Sequence, residues 1–190
     1  MDLPVVSVEE PGTTEVGREI ARLVKGGSGA LLPLTELFLF AAARAELVGR
    51  IIIPALEEGK IVLADRFSPS TFAYQGYGRG VDLELIRLID EKARGGINPD
   101  LVILLDLDPL EGLARKGRGD RFEREELDFH MRVRKGFLEL AAADPGRWLV
   151  VNASLPPPQI GEIIWKRVRE LLREREYHAH HGRRGERKED

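Results

Sequence analysis

The stretch Lys60-Ile61-Val62-Leu63-Ala64-Asp65-Arg66-Phe67 runs from four consecutive apolar residues straight into an acid and a base. A short, near-continuous run of this kind suits a strand buried on both faces. A charged pair at its end suits the carboxyl edge of a parallel sheet, where the ligands of open α/β folds bind. Working outward, the runs 5–8, 101–105 and 148–151 also read as strands. Helical periods lie between them. Residues 33–58 carry Leu34, Leu37, Phe38, Ala41, Ala45 and Val48 at spacings of three and four, with Pro33 at the start, Gly59 at the stop and Pro54 placed to kink the last turn. Asp82 is a fitting N-cap for a helix over 83–94, which Gly95 and Gly96 end. Further helices are expected over about 109–115, 124–143 and 157–176. Strand alternating with helix predicts an α/β layered fold with right-handed crossovers.

The length of 190 residues suits one domain, and a mixed-sign polar tail over 177–190 is expected to be disordered. A net charge of −3, from 29 basic against 32 acidic residues, argues against a chain that coats nucleic acid or binds an anionic membrane. With no cysteine, disulfides, thiolate zinc sites and cysteine nucleophiles are excluded. The first ten residues lack a signal-peptide pattern, and the longest apolar stretch, near 37–43, is far below the roughly 20 residues of a membrane span. A cytoplasmic protein is therefore expected. The scarcity of Gln and Asn (two of each) beside abundant Glu and Arg points to a thermophilic source.

Five motifs carry chemistry. Glu10-Pro11-Gly12 follows the first strand and presents an acceptor-only carboxylate at the sheet edge, beside the acid Glu9. Gly12 to Gly17 has phosphate-loop spacing, but Arg18 and Glu19 stand at its Lys and Ser/Thr positions, and that reading fails on charge. Phe40 and Arg44, four apart on the long helix, can present a flat ring and a planar guanidinium on one face. Asp65-Arg66-Phe67 closes a strand with an acid suited to magnesium held through water. The loop over 68–80, with Ser70, Thr71, Tyr74 and Gln75, is dense in orienting donors and acceptors. Arg115, Arg118 and Arg121 lie among glycines after a helix, as in a lid over phosphates at about 115–124. Each motif alone also fits a plain turn, a core aromatic beside a surface base, or a solvated loop.

In order and spacing together they resemble the thymidylate kinase family: Glu10-Pro11-Gly12, Leu37-Phe38-Leu39-Phe40-Ala41-Ala42 with Arg44, Pro54 to Gly59, Asp65-Arg66-Phe67, Ala73-Tyr74-Gln75-Gly76, Pro99-Asp100-Leu101 leading to Asp106, Asp120-Arg121-Phe122-Glu123 and Phe129-His130. The resemblance implies a domain over 1–176 with the three-layer parallel sheet of the P-loop nucleoside monophosphate kinases. It implies transfer of the γ-phosphate of Mg-ATP to dTMP, with Mg²⁺ as cofactor and a homodimer as the assembly. Phe40 would stack on thymine, Arg44 would contact the base carbonyl, Thr71 would bond the base, and Ser70 and Gln75 would belong to the dTMP site. Tyr74 would pack under the deoxyribose, Arg66 would grip the acceptor phosphate, Glu10 would lie near that phosphate and the metal, and Asp65 would hold the metal through water. Arg115, Arg118 and Arg121 would form the ATP lid, the last two acting with Arg66 on the transferred group.

The sequence departs from that family in one large respect. The expected strand, G-x-x-x-x-G-K-[ST] loop and helix upstream of Glu10 are not in it. In a sheet of order 2-3-1-4-5 the first strand would be the central one, so the 61–64 and 101–105 strands are expected to lack a neighbour. Three expectations follow: a kinase whose start lies about 25 to 30 residues upstream, a catalytically dead paralogue that binds dTMP or pairs with an active kinase, or a kinase for another pyrimidine such as dUMP. The 190 residues as they stand are expected to be inactive, because nothing in them replaces the loop amides and lysine.

Overall fold

In the computed structural model, which describes residues 3–26, 31–115, 122 and 125–185, four strands alternate with eight helices. Strand β1 (Val5–Glu9) pairs in parallel with β2 (Ile61–Asp65), Val5 opposite Ile61 and Glu9 opposite Asp65. Strand β3 (Val102–Asp106) pairs in parallel with β4 (Trp148–Asn152), Val102 opposite Trp148. The four strands fall within a residue of the apolar runs that announce them. Among the described residues they form two separate two-stranded sheets, with no strand hydrogen-bonded between β2 and β3. Parallel strands are normally covered on both faces, yet Leu63, Leu105 and Val150 are 56%, 52% and 46% exposed.

Helix α1 (Glu15–Gly26) lies where the sequence suggested only a turn. Its start is a cap: the Thr14 hydroxyl accepts from the Gly17 amide at 2.9 Å. Gly17, Ile20 and Val24 face inward, and a Cβ at Gly17 would come within 1.9 Å of the Pro11 carbonyl oxygen, so only glycine lets the helix approach the turn. Helix α2 (Pro33–Leu47) passes into a π-helical turn over Val48–Ile52 and then into α3 (Ile53–Glu57). The π-helical turn falls just before Pro54, which has no N–H to offer the preceding turn and begins α3 near its first position.

Residues expected to form a loop after β2 are helical instead: α4 (Ser68–Thr71) and a π-helical stretch over Phe72–Gly78. The glycines there serve close packing. A Cβ at Gly76 would lie 2.5 Å from Leu83, and one at Gly78 would lie 2.7 Å from Phe129. Helix α5 (Leu83–Ala93) has Asp82 as its N-cap, accepting from the Leu85 amide at 2.8 Å, and it ends before Gly95 and Gly96 at φ 55° and 80°. After β3 come α6 (Pro109–Arg115) and α7 (Leu127–Ala143), and after β4 comes α8 (Pro157–Gly185). The backbone of α8 runs past Glu176, where the sequence reading ends the helix. The run Leu171-Leu172-Arg173-Glu174-Arg175-Glu176 is made of strong helix formers with no stop signal behind it.

Three apolar clusters hold these elements. Val8, Leu47, Val48, Ile52 and Phe67 pack the β1–β2 sheet against the end of α2 and the π-helical turn. Ile20, Val24 and Ala43 join α1 to α2. Ala73, Phe129 and Val133, with Tyr74, Phe122 and Phe137 around them, join the helical stretch after β2 to α7. No described helix is long and apolar enough to cross a membrane.

Candidate active site

The carboxyl ends of β1 and β2 deliver Glu10 and Arg66 side by side in sequence register, with the Glu10 amide donating to the Asp65 carbonyl at 3.0 Å. Arg66 has φ 66°, the left-handed region that β-carbon-bearing residues avoid. Such strain persists where surrounding structure enforces it, and it clusters at functional sites. The guanidinium of Arg66 sits over the Tyr74 ring, 5.1 Å from its centroid. Tyr74 in turn meets Phe122 edge-on at 5.8 Å, and Phe122 lies 6.1 Å from Phe40. Phe40, Phe122 and Tyr74 therefore form a half-buried aromatic wall with an arginine at one end.

Behind this wall lies a buried ionic network. Arg44 is completely buried, and its Nε and Nη2 both donate to the Glu10 carboxylate. Nη2 also donates to the Thr71 hydroxyl at 2.7 Å, and Nη1 donates to Asp90 Oδ1 at 2.7 Å. Burial pushes the Glu10 carboxyl above its ordinary range, against the pull of Arg44 beside it. A second buried carboxylate, Glu36, accepts from Gln75 Nε2 at 2.7 Å and from Arg79 Nε at 3.4 Å. Arg79 continues outward to Glu125 at 2.7 Å and lies over the Phe129 ring.

The expected site residues are placed as follows. Arg44 and Gln75 are buried and meet Glu10, Asp90, Thr71 and Glu36; a long polar side chain with carboxylates in reach is drawn to them once water is excluded. Glu10 likewise pairs with Arg44. Asp65, exposed at the end of β2, is the expected acid whose chemistry fits magnesium, a cation that keeps most of its waters. No group of three or more metal-binding side chains stands together among the described residues. Thr71 is buried, whereas Ser70 and Tyr74 are half-buried and Arg66 is exposed. Arg115 pairs with Glu111 and donates to the Ala153 carbonyl. Arg118 and Arg121, and most of the expected lid, lie outside the described residues. Sequence reasoning missed Glu36, Arg79 and Asp90. A lone acid inside an apolar helical period, such as Glu36 beside Leu34 and Leu37, is the signal that could have found the first.

Parallel strands whose carboxyl ends present a strained arginine, an aromatic wall and a buried carboxylate–guanidinium network define an α/β protein with its charged and aromatic side chains gathered at the strand ends, the edge where open α/β folds hold ligands. A family model described as thymidylate kinase matches residues 1–164. Thymidylate kinases of Desulforudis audaxviator and Synechococcus sp. (strain JA-3-3Ab) are 46% and 48% identical to this chain, over 90% and 88% of it and over 79% and 81% of their own lengths. The crystal structure of thymidylate kinase from Ehrlichia chaffeensis superposes with a TM-score of 0.64 at 35% identity, covering 77% of this chain and 73% of that one. The chain belongs to the thymidylate kinase family.

Proposed function

We propose that this chain is a dTMP kinase that transfers the γ-phosphate of Mg-ATP to dTMP, giving ADP and dTDP. The observation that carries this reading is the aromatic wall of Phe40, Phe122 and Tyr74 ending at Arg66. An aromatic cluster beside one cation matches a base at one end and a phosphate at the other. Phe40 offers a face to the pyrimidine, Tyr74 fills the space under the sugar, and Arg66 neutralises the acceptor phosphate. Thr71 and Ser70 supply hydroxyls to the base, while Arg44 and Gln75 hold the pocket from behind. In this chemistry the protein mainly positions the two nucleotides and stabilises charge on the transferred group, and magnesium arrives with ATP, close to Asp65. Arg115, Arg118 and Arg121 are assigned to the ATP side.

The two sheets are read as the flanking halves of one. Counting the expected upstream strand as the first, the pairs formed, β1 with β2 and β3 with β4, are strands 2-3 and 4-5 of the order 2-3-1-4-5, on either side of its centre. The exposed apolar residues Leu63 and Leu105 support a further layer against these strands. A homodimer and a cytoplasmic setting belong to the same reading.

A paired assay tests it. dTMP is added with Mg-ATP to this chain and to the chain extended to an upstream in-frame start, following dTDP, with calorimetry for dTMP alone. Binding of dTMP by this chain, with dTDP formed in the extended form, is the expected result. The second reading is a dTMP-binding paralogue without turnover. Binding without product in both forms would establish that one, and a folded chain that binds no dTMP would overturn both.

A further inference from the structure

Asp90 of α5 is only 2% exposed and no substrate contact has been assigned to it. Its carboxylate gathers three donors: Oδ1 accepts from Arg44 of α2 at 2.7 Å, and Oδ2 accepts from the Ser68 hydroxyl of α4 at 2.6 Å and from Arg94, just past the end of α5, at 2.9 Å. Removing a carboxylate from water is expensive, and an apolar residue of similar volume commonly serves stability as well or better. What an apolar residue cannot do is direct three donors.

The direction matters because of Arg44. Its bidentate pairing with Glu10 grips one edge of the guanidinium, leaving Nη1 on the far side, where Asp90 takes it. Held at both edges, the plane fixes the remaining Nη2 hydrogen on Thr71 Oγ1 at 2.7 Å. A threonine hydroxyl that accepts from an arginine keeps its own hydrogen to donate elsewhere. Ser68 reinforces this from the backbone side: its bond to Asp90 anchors the first residue of α4, the short helix that carries Thr71.

We propose that Asp90 is a positioning residue for the acceptor pocket, acting through Arg44 and Ser68 to aim the Thr71 hydroxyl at the carbonyl edge of the pyrimidine. The proposal rests on the dTMP reading above and adds to it a residue that touches no substrate. Asp90 and Thr71 share no hydrogen bond with each other, so any energetic link between them passes through the groups that join them.

The test is a double-mutant cycle on the full chain, reading dTMP affinity by calorimetry in the parent, Asp90→Asn, Thr71→Val and the double variant. Asn keeps the volume and one acceptor but loses the charge. It should weaken dTMP binding about tenfold in the parent and less than about twofold in the Thr71→Val background. Equal losses in both backgrounds, or unchanged affinity, would overturn the proposal. If Asp90→Asn does not fold, Ser68→Ala removes one donor from the same carboxylate and runs the same cycle. A nucleotide-free readout separates this proposal from the dTMP reading. In the parent, the Arg44 Nη hydrogens should give separate, slowly exchanging NMR signals that merge in Asp90→Asn. Separate signals in a chain that binds no dTMP would sink the kinase reading and leave the clamp standing. Identical signals in both would sink the clamp.

Discussion

Arg66 is held at φ 66° and stacked over Tyr74, so its backbone and its side chain make separable contributions. A residue with a β-carbon loses about 1 kcal/mol in the left-handed region, and glycine loses nothing there. Arg66→Gly and Arg66→Ala both remove the cation proposed above to meet the acceptor phosphate, and on that proposal both should lower dTMP affinity by at least about tenfold. Their stabilities should differ: in urea unfolding the Gly variant should be more stable than the Ala variant by about 1 kcal/mol. If the Ala variant is as stable as the Gly variant, the turn after β2 is not strained. The adjacent side chains were visible in the sequence as a charged pair closing an apolar run, but the sign of φ was not, because nothing local at Arg66 asks for it.

At the scale of elements, Asp106 at the end of β3 is tied to α7 by Arg134, whose Nε and Nη2 donate to its two oxygens at 2.7 and 3.0 Å. Those hydrogen bonds hold the Asp106 carboxyl below its ordinary value of 3.8, outweighing the opposing effect of burial. A carboxylate whose folded value is depressed stabilises the fold above its unfolded value, and that stability is lost as pH falls through the folded value. Asp106→Asn should therefore be less stable than the parent at about pH 7, and the difference should shrink by about pH 3. Urea midpoints at the two pH values check this; a gap that stays constant would mean that the β3–α7 tie is not electrostatic. The same scale explains what the loop reading of 68–80 overlooked. Gly76 and Gly78 read as breakers in a single sequence, yet both face neighbouring side chains closely enough that any Cβ would collide with Leu83 or Phe129. Their small size is used for packing between helices.

For the whole molecule, the distribution of exposed apolar residues points to assembly. Phe38 on α2 and Leu88 on α5 are 53% and 55% exposed, and Leu34, Leu83 and Leu85 are partly exposed on the same two helices. Exposed apolar surface on packed helices of this kind marks protein contact sites. The homodimer proposed above would bury it. Light scattering should then give twice the chain mass of 21.3 kDa, and Phe38→Glu with Leu88→Glu should give the monomer mass. A parent that runs as a monomer would remove the homodimer from the functional reading. The other exposed set, Leu63, Leu105 and Val150, belongs to the strands themselves, on faces that no described element covers.

The amino-acid sequence by itself determined the four strands, the cap and stop of α5, and the set of residues at the β1 and β2 ends, because each depends on nearest neighbours: apolar runs, an Asp before a helix, glycines after it. It also carried the family resemblance, since the spacing of motifs along a chain is a one-dimensional property. Only the tertiary structure decided which polar groups face the cleft and which face one another. Arg44 has the same sequence neighbours whether it reaches a ligand or a carboxylate; that choice is made by Glu10, Thr71 and Asp90, which come from three other segments of the chain. The pairing follows from electrostatics in a buried, low-dielectric space, where a charge far from water must find its partner at contact distance. Distances of that kind are set by folding, and no local pattern encodes them.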